Sequence, residues 1–309
     1  SDTSGNQYLQ FGGPQLQNRA IPGYTPETIP AGAASAKFTP PINTGLGFLA
    51  ALTDAQILAN ADPFDVDGDS ISGIPNYIAP PSYFIPQVYH QSFGGKYIGR
   101  FGKKATSIDL LQQVVIAFKE DIGVTSFYDS SEPSINGLMN PYPDNVPDPE
   151  VSVNTILNVV FYLRTLKAPI QRDQNDADVI AGAQLFNDLK CAKCHTPEWT
   201  TGASDIASLS NKTFYPYTDL LLHNMGTSLD DGYTEGSAET YEWRTPPLWG
   251  LGLAKNSQGG QYYLMHDGRA TSISHAISFH GGEAFNSRES FLTLSNEDKQ
   301  KLIKFLESL

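Results

Sequence analysis

The chain holds two cysteines, Cys191 and Cys194, in the stretch NDLKCAKCHTPEW, and His195 directly follows the second. Two thiols three positions apart with an imidazole behind them suit the tethering of a haem. Each sulfur can add to one vinyl group of the porphyrin, giving two thioethers, and the adjacent imidazole then coordinates iron from the proximal side. The spacing matters because one helical turn spans the two vinyl-bearing edges. Two other chemistries compete for these residues. A thioredoxin-like dithiol opens a helix after a strand in a βαβ unit, and no such unit is legible here. Half of a zinc site needs a second C-x-x-C or an H-x₃-H to complete four ligands, and neither exists in the sequence.

A six-coordinate haem needs a ligand from its other face. The downstream candidates are His223, Met225, Met265, His266, His275 and His280. In ATSISHAISFHGG, Ile273, Ala276, Ile277 and His280 fall at i, i+3, i+4 and i+7, which sets His280 on an apolar stripe and leaves His275 off it. A histidine at a helix C-terminus, favoured by the dipole and capped by Gly281, is the plainer alternative. Met225 in LLHNMG competes as a thioether ligand, or else fills a gap in the core. His266, in the tight turn of MHDGR, reads as a residue that supports a ligand. Arg244 and Arg269 could each hold a haem propionate through a bidentate contact, or lie on the surface. No catalytic residue can be named.

Several elements must position these groups. TDAQILANA predicts a short helix with Thr53 as its N-cap, and TSIDLLQQVVIAFKEDIG a stronger one that Gly123 ends. DPEVSVNTILNVVFYLRTL carries apolar residues around much of its surface, which predicts a central helix. NDADVIAGAQLFNDLKCAKCH predicts a helix running into the cysteine motif, with Asn175 as cap. SNEDKQKLIKFLESL predicts a terminal helix opened by Ser295 and Asp298. Residues 1–50 and most of 197–262 read as loop. The expectation is an all-α protein with long irregular loops and a domain boundary near residue 170, at LKAPIQRDQND. Helix, motif, long loop and terminal helix is the layout of a class I cytochrome c domain, in which VIAGAQLF and KLIKFLESL cross and shield a haem edge.

Composition sets the outer bounds. A 309-residue chain that is 40% hydrophobic and 11% aromatic is globular and long enough for two domains. Its 27 Gly and 21 Pro fit long loops. A net charge of −13 argues against a nucleic-acid partner and leaves a basic redox protein as the expected one. No apolar run is long enough to span a membrane, and no signal peptide is present. The opening SDTSGNQYLQFGG reads as a mature or trimmed start.

LFNDLKCAKCHTP, YTDLLLHNMG, EWRTPPLWGLG, MHDGRATSISHAISFHGGEA and GPQLQNRAIPG together resemble the bacterial di-haem oxidoreductases, also called thiol oxidoreductases. These are relatives of the di-haem cytochrome c peroxidases and of the enzyme that matures tryptophan tryptophylquinone. The resemblance covers nearly the whole chain. It implies two cytochrome-c-like domains: residues 1–170, without a haem motif of their own in this chain, and residues 171–309, with the C-x-x-C-H. It also implies peroxidase-like electron transfer between two c-type haems and a periplasmic or exported location. Any membrane anchor, like a second haem c, would come from a segment outside these residues. The stretch from His266 to His280 is similar to the peroxidase segment that ends in an axial Met, and lining up the two places His280 at that ligand position. The chain departs from the family in two respects. It lacks the N-terminal C-x-x-C-H, and Lys103 stands where relatives carry Trp. The alternatives are a pure electron carrier without catalysis and a haem-free binding protein whose cysteines form a dithiol or disulfide.

One further cluster could bind a cation. In ADPFDVDGDSISGIPN, Asp65, Asp67, Asp69 and the Ile71 carbonyl occupy positions 1, 3, 5 and 7 of an EF-hand-like calcium loop. The match fails at Ser70, where Gly is needed, and at Asn76, where Glu is needed. An ordinary Asp-rich turn is the competing reading.

Overall fold

The computed structural model describes residues 15, 29, 31–131 and 146–309. GPQLQNRAIPG lies, apart from Gln15, outside them. Helices α1 (Leu46–Ala50), α2 (Asp54–Leu58), α3 (Leu110–Ile116), α4 (Val153–Thr165) and α5 (Ala177–Asp188) precede the cysteine motif. Helices α6 (Ala254–Ser257), α7 (Ile273–Ser278), α8 (Phe285–Thr293) and α9 (Asn296–Ser308) follow it. Strands β1 (Tyr77–Ile78) and β2 (Tyr97–Ile98), β3 (Trp199–Thr200) and β4 (Thr213–Phe214), and β5 (Leu222–Asn224) and β6 (Glu242–Arg244) form three two-stranded antiparallel sheets.

The all-α expectation is therefore overturned. Strands of two or three residues are too short to print an alternating pattern in the sequence, and long loops surround them. The β5–β6 pair carries His223 opposite Trp243 and Leu222 opposite Arg244.

Local signals explain where most helices begin. Thr53 and Gln56 form a reciprocal capping box on α2. Asp109 caps α3, which passes at Ala117–Asp121 into a π-helical turn, and Gly123 follows at φ +68°. The cap of α5 is Asp176, one residue beyond the expected Asn175; its carboxylate accepts from Asp178 and Val179 N–H. Ser295 caps α9. Helix α4 is not central. Ile156 is its buried residue, packed with Val114 and Val115 of α3, while Leu157, Phe161 and Tyr162 are exposed.

Two large apolar clusters make most of the core among the described residues, beside two small ones. One gathers Leu49, Leu52, Ile57 and Ile98 with Trp199, Leu221 and Trp249, so it draws side chains from both sides of residue 170. The other gathers Val179 and Phe186 of α5, Tyr217, Ile273, and Leu302, Phe305 and Leu306 of α9. Each such side chain contributes about 1.5–3 kcal/mol on full burial. Helices α5 and α9 cross at Gly182, where an added Cβ would strike the Lys301 carbonyl and the Phe305 side chain. That close crossing sets the Phe186 ring 5.4 Å from Phe305 and 6.3 Å from His195.

Candidate functional site

Helix α5 stops short of the cysteines. Lys190 adopts φ +62°, and Cys191–Lys193 turn in a single 3₁₀ segment. The His195 N–H closes the turn on the Cys191 carbonyl at 3.0 Å. Both thiols are free and half-buried. Burial pushes the Cys191 thiol up to about 12 and raises Cys194 also. A working dithiol needs a depressed thiolate, so these surroundings run against that reading.

Across from the motif, α7 ends just before His280. The rings of His195 and His280 stand 6.5 Å apart, centre to centre. The Nδ1–H of His195 donates to the Tyr217 carbonyl at 3.1 Å, and that of His280 to the Ala276 carbonyl at 2.9 Å. A carbonyl can only accept, so Nδ1 carries the proton in both rings and Nε2 keeps its lone pair. Burial, with His280 beside it, pushes His195 down to about 4, and burial lowers His280 as well. Both are neutral at neutral pH, as a metal-binding imidazole must be. An imidazole nitrogen binds a first-row metal at about 2 Å, so two imidazoles on opposite sides of one ion stand about 6 Å apart between ring centres. The observed separation fits an iron held between them.

The other candidates have different surroundings. His223 is buried, its Nε2 2.7 Å from Asp219 Oδ2 and its Nδ1 2.6 Å from Glu283 Oε2, so both nitrogens donate and neither is free for metal. Cys194 Sγ lies 3.5 Å from the same ring. Burial opposes a charge on His223, but Asp219 overrides it and raises the ring well above its ordinary value. Met225 lies with its backbone against Gly281. His266 stacks on Trp243 with ring centres 3.7 Å apart, and burial lowers it to about 4. Arg269 spends its charge on Asp267 at 2.7 Å and on the Ser228 carbonyl. Arg244 is buried among carbonyls and has no carboxylate partner among the described residues. His275 is exposed.

The acidic loop is arranged differently from an EF-hand. Asp62, Asp65 and Asp67 converge, whereas Asp69 turns to Lys193 at 2.7 Å, and Lys193 also reaches Asp67 at 3.0 Å. The Ile71 N–H donates to Asp69 Oδ1. Asp62 was missed by the loop register, although it stands in the same acidic run. Sequence reasoning also missed Asp219 and Glu283. Asp219 is four residues before His223, while Glu283 comes sixty residues after it and gives no local signal.

A pH effect follows from His223. Its folded value lies above the unfolded value of about 6.5, so its contribution is complete below that pH and is lost as pH rises through the folded value. His223→Gln is expected to cost about 2 kcal/mol at pH 6 and progressively less at alkaline pH, read from urea midpoints of both proteins. A difference that stays constant with pH contradicts a charged His223.

Comparison with known proteins agrees with the motif. A search of curated proteins gives no match. Among solved structures, hydrazine synthase of Kuenenia stuttgartiensis, studied under xenon pressure, is similar at 13% identity and a TM-score of 0.35. That match covers 96% of this chain and 100% of that one. The family model described as "Di-haem oxidoreductase, putative peroxidase" matches residues 34–309. The match covers Cys191, Cys194, His195 and His280 and most of the chain, so the chain belongs to the di-haem oxidoreductase family.

Proposed function

We propose that Cys191 and Cys194 tether a c-type haem and that His195 and His280 are its axial ligands, so that the chain relays single electrons within a peroxidase-like oxidoreductase. The observation that carries this reading is the pair of imidazoles 6.5 Å apart, each with Nδ1 fastened to a carbonyl and Nε2 unengaged. Bound haem supplies a one-electron ferric/ferrous couple. The chain's own residues do the rest. Tyr217 and Ala276 fix the tautomers, and α5 and α9 shield the proximal side with Phe186 and Phe305. Each thiol adds across a vinyl double bond, sulfur going to one carbon and hydrogen to the other, with no net oxidation.

With both imidazoles engaged, a haem held here would pass electrons and would not itself bind peroxide. An exported location is part of the same reading and rests on the proposed covalent attachment. Expression with a c-type maturation system, followed by a pyridine haemochrome spectrum, is expected to give one covalent haem per chain. Its absence from protein matured in that system would overturn the reading.

A further inference from the structure

Glu283 gathers three donors from two distant stretches of chain. Its Oε2 accepts the Nδ1–H of His223 at 2.6 Å and the Ser72 N–H at 2.9 Å, and its Oε1 accepts the Asn224 N–H at 2.9 Å. The side chain is only 12% exposed, so these are charge-assisted bonds in largely dry surroundings. The two glycines before it lie close against the end of β5. A Cβ added at Gly281 would strike the Met225 carbonyl, and one at Gly282, which sits at φ +52°, would strike the Asn224 carbonyl. Residues 281–283 are thereby fastened to the end of that strand.

This fastening joins the two sides of the haem site. On one side, the His223 ring that donates to Glu283 lies 3.5 Å from Cys194 Sγ. On the other, His280 stands three residues before Glu283, just past the end of α7. That helix has six residues, and the bond that orients His280, from Nδ1–H to the Ala276 carbonyl, belongs to its last turn. A helix end frays unless it is tied, and here the tie is the Gly281–Gly282 link held by Glu283. We propose that Glu283 is a positioning residue that keeps His280 on the iron, so that loss of its carboxylate opens the sixth coordination position to a small ligand. This inference rests on ligation by His195 and His280 as read above.

The test compares matured wild type, Glu283→Ala, Glu283→Gln and Gly282→Ala, with His280→Ala as the open reference. Covalent haem is read by pyridine haemochrome, and access to the sixth position by cyanide titration of the ferric protein. All are expected to carry equal haem, since Cys191 and Cys194 are unchanged. Glu283→Ala is expected to bind cyanide with about one tenth of the His280→Ala affinity, as when the ring is off the iron about a tenth of the time, at concentrations where wild type binds none. Gly282→Ala keeps the carboxylate but lifts the turn from Asn224, and is expected to bind cyanide too. Glu283→Gln retains one acceptor oxygen and is expected to bind more weakly than Glu283→Ala. Asp54→Ala, which loosens the fold at Arg100 and Gln91 instead, is expected to bind none. Equal haem with no cyanide bound by Glu283→Ala overturns this inference alone, and so does equal binding by Asp54→Ala. If Glu283→Ala does not accumulate, the near-isosteric Glu283→Gln decides by the same titration. Wild type that lacks covalent haem, or that holds it and binds cyanide as His280→Ala does, overturns the functional reading and this inference with it.

Discussion

Alanine at position 280 is expected to turn a closed, low-spin haem into a high-spin one that binds cyanide stoichiometrically, where the wild type binds none. The ring of His280 lies opposite His195, and on the proposed ligation its removal would leave the iron one ligand short. Covalent haem should stay at the wild-type level, because Cys191 and Cys194 are untouched. Added imidazole should return the low-spin spectrum. His280→Met should remain six-coordinate with a raised potential, as thioether ligation generally gives. A low-spin spectrum persisting in His280→Ala would assign the distal position to another side chain.

Asp54→Ala is expected to cost about 3–5 kcal/mol, a large share of the roughly 5–15 kcal/mol by which a folded domain is stable. Arg100 and Asp54 form an ion pair with both side chains buried. Arg100 also donates to the Leu52 carbonyl, and Asp54 accepts the Gln91 N–H at 2.7 Å. Removing the carboxylate leaves a guanidinium in the apolar cluster and an amide without its acceptor. The double variant Asp54→Leu with Arg100→Met should lose less than the two single changes added together, because no charge is then left stranded. Denaturant midpoints of the four proteins measure this coupling, and simple additivity would contradict it.

The legible parts of this molecule were those written over a few consecutive residues. The Cys191, Cys194 and His195 spacing could be read as a haem motif because thioether attachment is itself a local requirement, and the structure sets the His195 ring 6.5 Å from that of His280. His280 stood out because one face of a short helix repeats at 3.6 residues. Thr53 and Ser295 opened helices where capping chemistry placed them. Helix α1 lay in a stretch read as loop, because five residues show little period, and α8 was missed because FNSRESFLT has no apolar stripe and buries Phe291 alone. The strands were too short to alternate visibly. Helix α4 misled in the opposite direction: its apolar residues pointed to burial, yet Leu157, Phe161 and Tyr162 face solvent. The Asp219–His223–Glu283 cluster joins residues through tertiary folding, beyond what any spacing rule reads.

The oxygens that orient His195 and His280 belong to the main chain, at Tyr217 and Ala276. No single codon change can delete a peptide oxygen, so ordinary mutational drift around this centre can reshape its walls without unfastening either ring. Heritable tuning is thereby channelled elsewhere: into exchange of His195 and His280 themselves, or of side chains packed around them such as Phe186.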